Sequence, residues 1–413
     1  MEHGAKFLPM VPQAPHPSIR FLPVLQPRAP QSKIDRLVAI VKPTQVCNIE
    51  CTYCYVYEAA THGRMSDETL RRTIEQLIAG IEPGGELEIV WHGGEPSLVG
   101  QKFYERALEY EGRYKGDVYV RNSIQTNAYR LSPEFMRFLF ENRFSVGVSL
   151  DGTARLNDSC RVTKKGEGTF DSVLHNIRTM KAMGIPLGAV CVITRQNKDS
   201  IDEIYKFFHE EQIPFRINPL IKSGAARRHL DHHYMSVDEY ADVVIRLVDL
   251  WWTDEDAELR VATVEGLISA VITGRHDGCE NSPNCQNHFV GVGPKGDVYP
   301  CGRFEGMADF SYGNVVELGI EDIFQSERRQ ALLTRDARLM PGCPTCEWFS
   351  ICHGGCMHNA HEHSGDVMTK DELCYATKRI NSYVYQKLRS EPNLSGVLKD
   401  LNIPRSMRFQ ETV

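Results

Sequence analysis

Two periods of apolar residues alternate along most of this chain. Six short runs rich in β-branched and aromatic residues read as strands: LVAIVKP (37–43), LEIVWHG (87–93), VYVRNSIQTN (118–127), FSVGVSLDG (144–152), LGAVCVIT (187–194) and FRINPLI (215–221). Between them apolar residues recur every three or four positions, as on one face of a helix. In SDETLRRTIEQLIAGI, Leu70, Ile74, Leu77, Ile78 and Ile81 share a face, Ser66 is placed as the N-cap, and Asp67 and Glu68 suit the positive helix end. TFDSVLHNIRTMKAM repeats the pattern through Phe170, Val173, Leu174, Ile177 and Met180. Strands alternating with helices predict an α/β fold with a parallel sheet and right-handed crossovers, either open or curled into a partial barrel. Ligands then gather at the C-terminal ends of the strands.

The pattern has different flanks. Before it, Pro9, Pro12, Pro15, Pro17, Pro23, Pro27 and Pro30 make residues 1–35 an extended arm. Past about residue 275 the alternation gives way to short segments rich in Gly, Pro and Cys, with a hairpin predicted at FVGVGPKGDVYPC and its turn at Pro294 to Gly296. Such a region has too small a core of its own and needs metal or clusters to hold it.

Composition narrows the class. A chain of 413 residues, 42% hydrophobic and 24% charged, has room for a substantial core and more than one domain. The net charge of −7 gives no sign of a surface that tracks phosphates, so nucleic acid is not the expected partner. No apolar run approaches the roughly 18 residues of a membrane span, and the N-terminus lacks the order of a signal peptide. A cytoplasmic location is expected, with no membrane partner. In that compartment thirteen cysteines in spaced groups are expected to be ligands, not disulfides. Cys160 and Cys191 stand alone and read as small buried hydrophobes. The other eleven fall into an early trio, Cys47, Cys51 and Cys54, and a late group of eight: Cys279, Cys285, Cys301, Cys343, Cys346, Cys352, Cys356 and Cys374. His353, His358, His361 and His363 are read as loop histidines on a solvated face.

Three thiolates around a four-iron cluster leave one iron open to a small molecule, whereas four close the site. The spacing C-x3-C-x2-C directly after the first strand, with Tyr53 before the last cysteine, resembles the radical S-adenosylmethionine (SAM) superfamily. HGGEP at the end of the second strand resembles that superfamily's GGEP motif. The resemblance implies that Gly93, Gly94 and Glu95 meet the methionine amino group of SAM. It implies also that Ser149 and Asp151 in SLDG bind ribose or carboxylate, and that Arg161 lies near the methionine carboxylate. Gln125 and Asn127 are candidates for the substrate side.

From Cys343 onward, C-x2-C-x5-C-x3-C-x17-C resembles the SPASM domain, which in relatives carries two auxiliary [4Fe–4S] clusters. Position by position this implies one cluster on Cys279, Cys285, Cys301 and Cys356 and a second on Cys343, Cys346, Cys352 and Cys374. Two structural zinc sites are the alternative that CPTC and CEWFSIC leave open. The fold class implied is a partial (β/α)6 barrel of radical SAM type with a C-terminal cysteine-rich SPASM domain. The expected bounds are an arm (1–35), the barrel (36–235), a helical linker (236–278), the SPASM domain (279–390) and a tail (391–413).

Within the superfamily the chain is similar to peptide-maturing SPASM proteins, including those that form cyclophanes, and to anaerobic sulfatase-maturating enzymes. The function implied is hydrogen abstraction by a 5′-deoxyadenosyl radical from a precursor peptide, leading to an oxidative cross-link. The expected cofactors are SAM and three [4Fe–4S] clusters, and the expected partners are the peptide and a flavodoxin or ferredoxin-type electron donor. Sulfatase maturases carry an Asp base after the third ligand of the first auxiliary cluster; here the segment reads VYPCGRF, with Gly302, which disfavours formylglycine formation. No residue is assigned as the catalytic base. Oxidation of a small molecule and non-catalytic electron transfer are the other readings. The chain reaches Cys47 too early for a winged-helix leader-binding domain of about 80 residues before it.

Overall fold

The computed structural model describes residues 33–56, 63–254, 259–276 and 278–391; most of the proline-rich arm and nearly all of the expected tail lie outside these residues. Among the described residues eleven strands are present: β1 (Ile34–Thr44), β2 (Ile49–Cys51), β3 (Ile81–Gly93), β4 (Tyr119–Thr126), β5 (Ser145–Ser149), β6 (Arg161–Thr163), β7 (Leu187–Ile193), β8 (Phe215–Pro219), β9 (Phe289–Val292), β10 (Asp297–Tyr299) and β11 (Gly313–Asn314). Six of them, β1, β3, β4, β5, β7 and β8, coincide with the six predicted runs and pair in parallel in sequence order. The order contains no switch point, so crossovers of one hand put every helix on the same face and leave the other concave. This is a half-barrel, and not a doubly wound sheet.

Side-chain alternation sorts the two faces. Leu37, Ala39 and Val41, then Leu87, Ile89 and Trp91, then Val146 and Val148 are fully buried against the helices. Their neighbours, among them Ile40, Glu88, Val90, His92, Ser123, Gln125 and Gly147, line a cavity of about 770 Å³ on the concave side. Helix Asp67–Ala79 begins as expected, with the Ser66 hydroxyl accepting from Thr69 N at 3.0 Å. Its buried residues include Leu70, Ile74, Leu77 and Ile78, while Ile81 belongs to β3. Helix Phe170–Ala182 buries Val173, Leu174, Ile177 and Met180.

The cysteine-rich region departs from the expectation of a poorly cored appendage. Its predicted hairpin forms, with Gly296 at φ +92 in the turn, and β9 then pairs in parallel with β1, so the barrel sheet runs on through β9, β10 and β11. Val290, Val292, Val298, Phe304 and Phe324 join the same hydrophobic core as the barrel helices. Among the described residues no helix is long and apolar enough to cross a membrane.

Candidate active site

The early cysteines sit at the C-terminal end of β1 on a loop braced by a two-stranded ribbon. β2 pairs antiparallel with β6 in a register that sets Cys51 opposite Arg161. The Arg161 Nη1 is 3.8 Å from the Cys51 sulfur. This ribbon has only three residues per strand and left no periodic signal in the sequence.

Cys47, Cys51 and Cys54 line the cavity together. Burial pushes the Cys47 thiol up to about 11 and the Cys51 thiol to about 12, and each is raised further by the charge of Cys54. The eight later cysteines divide in the same way. Cys279, Cys301 and Cys356 all act electrostatically on Cys285, and Cys374 and Cys346 on Cys343, with Cys352 coupled to Cys374 and Cys343. Among the described residues, no three His, Cys, Asp or Glu side chains converge as around a single ion. Thiolates crowded in low dielectric repel one another and need a cationic core to ionise, and a group of three with two groups of four is the donor set that suits iron–sulfur clusters.

GGEP follows β3 as expected, and its glycines answer a packing demand from the protein itself. Gly94 N donates to Thr44 O at 2.9 Å and Glu95 N to Val46 O at 2.9 Å. A Cβ on Gly94 would stand 2.4 Å from Gln45 O and 2.5 Å from Val46 O, and one on Gly93, whose φ is +127, would stand 2.2 Å from Thr44 O. The Glu95 side chain is fully buried behind the cavity wall. It accepts hydrogen bonds from Thr126 Oγ1 (2.7 Å), Asn127 N (2.8 Å) and Ser97 N (3.0 Å), and so ties the end of β3 to the end of β4. Asp151 is likewise interior: its carboxylate takes Arg161 Nε at 2.9 Å, Val192 N at 2.9 Å and the Tyr53 hydroxyl in a short contact. Tyr53 and Arg161 reach the cavity and Asp151 holds them there, the Tyr53 ring lying 5.2 Å from the guanidinium carbon. Ser149 lines the cavity and accepts from Gln125 Nε2 at 3.1 Å. Gln125 lies across Gly147, where a Cβ would meet its Oε1 at 2.1 Å.

Asn127 lines the cavity at its thiol end. Its Nδ2 is 3.5 Å from the Cys47 sulfur and 2.8 Å from Asn48 Oδ1. The reading of His358 as solvated is corrected: the ring is fully buried, T-shaped on Phe304 at 4.9 Å, and burial drops it to about 3. Cys191 is buried in the barrel core and Cys160 beside Tyr53, as read from the sequence.

A polar wall between the trio and the later thiols escaped sequence reasoning. Lys42, 2% exposed, donates to Glu305 Oε2 at 2.9 Å; Gln45 Nε2 makes a short contact to the same oxygen. Tyr55 lines the cavity with its ring 5.5 Å from Lys42 Nζ. His92 closes this side, its Nδ1 accepting from Gly93 N at 2.7 Å; burial and the Lys42 charge lower it to about 4. The one available signal was a lysine ending the apolar run LVAIVKP. At Gly302 a Cβ would meet Ile40 Cγ2 at 2.8 Å, so the β1 side chain fills the space beside the third thiol of the first group of four.

Residues 41–208 match the radical SAM superfamily and residues 282–347 the SPASM iron–sulfur cluster-binding domain. A cysteine-type anaerobic sulfatase-maturating enzyme of Clostridium perfringens is 25% identical over 372 residues, covering 86% of this chain and 98% of that one. Among solved structures, native anSMEcpe with bound AdoMet and Kp18Cys peptide superposes with a TM-score of 0.77 at 22% identity, over 85% of this chain and 98% of that chain. Streptococcus suis SuiB bound to its precursor peptide SuiA gives 0.62 at 17% identity, over 82% and 76%. The chain joins a radical SAM domain to a SPASM domain and is a radical SAM enzyme.

Proposed function

We propose that this enzyme modifies a ribosomally made precursor peptide, abstracting a hydrogen atom from one residue to set up an oxidative cross-link of the cyclophane kind. Cys47, Cys51 and Cys54 would hold the SAM-binding cluster, Cys279, Cys285, Cys301 and Cys356 the first auxiliary cluster, and Cys343, Cys346, Cys352 and Cys374 the second. Bound together, SAM and its cluster supply a 5′-deoxyadenosyl radical on one-electron reduction. Tyr53 and Arg161, held by Asp151, and Ser149 shape the SAM side of the cavity; Gly93 and Gly94 bring the β3 turn against the trio's loop, and Glu95 locks that turn to β4. The apolar walls exclude water from the reacting centre. Arg216 and Asn218 line the cavity from the edge strand β8, the side that suits entry of an extended peptide. A flavodoxin or ferredoxin-type protein is the proposed electron donor, and the cytoplasm the proposed location.

The observation that carries this reading over formylglycine formation is Gly302 with Ile40 packed into its Cβ space, so the position after the third thiol carries no carboxylate, and the Glu305 carboxylate of the polar wall is taken up by Lys42 and Gln45. The similarity to sulfatase maturases keeps that chemistry as the second reading. Anaerobic co-expression with a candidate precursor peptide, followed by mass spectrometry, separates the two. Loss of two hydrogens per cross-link in the precursor is expected. An unchanged precursor, together with conversion of a sulfatase-derived cysteine peptide to formylglycine, would overturn the proposal.

A further inference from the structure

Arg303 stands beside the polar wall, and the proposed chemistry gives it no task. It follows Gly302, stands two positions after the third thiol of the first group of four, and is partly buried. Its Nη1 lies 3.8 Å from the Cys356 sulfur and 3.3 Å from Asn359 Oδ1. The amide of Asn359 is fixed in orientation, because its Nδ2 donates to Asp371 Oδ2 at 3.0 Å and the oxygen must therefore face the guanidinium. The same Asp371 oxygen accepts from Cys356 N at 3.0 Å, and the other carboxylate oxygen from Leu373 N at 2.8 Å, so the clamp is anchored in the backbone that carries the thiol. On the opposite side Arg303 acts electrostatically on Tyr55, which lines the cavity. Cys279, Cys301 and Cys356 all act on Arg303 itself. A permanent cation thus stands between the first group of four thiols and Tyr55 of the cavity wall; its hydrogen-bond partners are a sulfur and an amide, and the Glu280 carboxylate acts on it only through charge.

We infer that Arg303, oriented by Asn359 and Asp371, is a positioning residue that raises the reduction potential of the iron–sulfur group on Cys279, Cys285, Cys301 and Cys356 and so makes it the electron acceptor facing the cavity. The physical reason is that one added electron changes no bond but adds a negative charge. A guanidinium held close to a ligand sulfur stabilises that charge, as net charge and hydrogen bonds to sulfur do in such sites. In the second group of four thiols no guanidinium lies within hydrogen-bond reach of a sulfur among the described residues: Lys370 and Lys378, which act on Cys343, are exposed, and the buried Arg335, which acts on Cys352 as well as on Cys285 and Cys356, is turned to the carbonyls of Val367, Gly354 and Thr369. This inference rests on the cluster assignment in the proposed function, and it stands apart from which peptide bond is made.

The test is a potentiometric titration followed by electron paramagnetic resonance, on full-length protein with Cys47, Cys51 and Cys54 replaced by Ala so that only the auxiliary signals remain. Dithionite supplies the electron through mediators, and iron analysis confirms equal loading. With Arg303→Gln, the reduced-to-oxidised ratio of one auxiliary signal, read at the parent midpoint, is expected to fall about tenfold, which is about 59 mV for one electron, while the other signal stays in place. Arg303→Lys should recover part of the shift. Asn359→Ala, which leaves the cation but frees it, should shift the same signal the same way by less, and gives an independent reading where Arg303→Gln loads poorly. Unmoved midpoints in fully loaded variants, or equal shifts of both signals, would overturn the inference. Failure of the parent enzyme to cross-link any peptide would defeat the functional proposal and leave this titration intact.

Discussion

Replacing Lys42 by Met tests how the half-barrel is joined to the loop that follows Cys301. Lys42 lies two residues before the end of β1, Glu305 lies 263 residues later, and both side chains are nearly inaccessible, at 2% and 5% exposure, with 2.9 Å between charges. Removing one partner of a buried pair leaves an uncompensated charge and costs about 3–5 kcal/mol. Gln45 still donates to Glu305, which places the expected loss near about 3 kcal/mol. Converting both residues to Met removes both charges, and the remaining cost is the orphaned Gln45 amide, about 1 kcal/mol. The double variant should therefore be more stable than Lys42→Met alone by about 2 kcal/mol, a strongly non-additive cycle. Anaerobic urea denaturation of the four proteins, read by tryptophan fluorescence, gives the numbers. Additive losses, or a loss below about 1 kcal/mol for Lys42→Met, would refute the reasoning.

Other consequences follow from the same packing. Gly94→Ala drives a Cβ into two backbone carbonyls and should cost toward the upper end of about 1–3 kcal/mol, whereas Gly302→Ala meets side-chain atoms alone, Ile40 Cγ2 at 2.8 Å with Ile40 Cβ and Lys42 Cε at 3.4 Å, and should cost toward the lower end of that range; thermal melts compare them. Glu95→Ala removes the acceptor of three hydrogen bonds and should cost about 2–3 kcal/mol together with most SAM cleavage, checked by melts and by 5′-deoxyadenosine release. Burial raises Glu111 from 4.5 to about 7, its carboxylate accepting from Asn122. The folded state therefore holds this proton more tightly than the unfolded one, and the stability it contributes is full below pH 4.5 and lost as pH rises through about 7. At 1.36 kcal/mol per pH unit this is about 3 kcal/mol, and Glu111→Gln should flatten the pH dependence of stability by that amount.

The strands and helices of the barrel were legible because each buries a whole face, which writes a period into the sequence. The trio was legible because its three cysteines share one loop, and the late cysteines because their spacing resembles that of a SPASM domain, from which their division into two groups of four was carried over. The β2–β6 ribbon was not, since its pairing is fixed by register over three residues and not by a hydrophobic face. Nor was the parallel pairing of β9 with β1, which sets Val38 opposite Phe289 across 251 residues of chain and which no local pattern encodes. Glu95 and Asp151 were placed at the right strand ends, but their inward orientation depends on partners from β4, β6 and β7 that come together only in the fold. Lys42 and Glu305 each look like ordinary surface charges until the chain brings them together.

The central claim is that Cys47, Cys51 and Cys54 hold a cluster with an iron open to SAM at the mouth of the half-barrel. Anaerobically reconstituted enzyme given SAM and dithionite should release 5′-deoxyadenosine, and replacing the three cysteines by Ala should abolish that release while the auxiliary signals persist. Release that is absent in the parent enzyme, or undiminished in the variant, would contradict it.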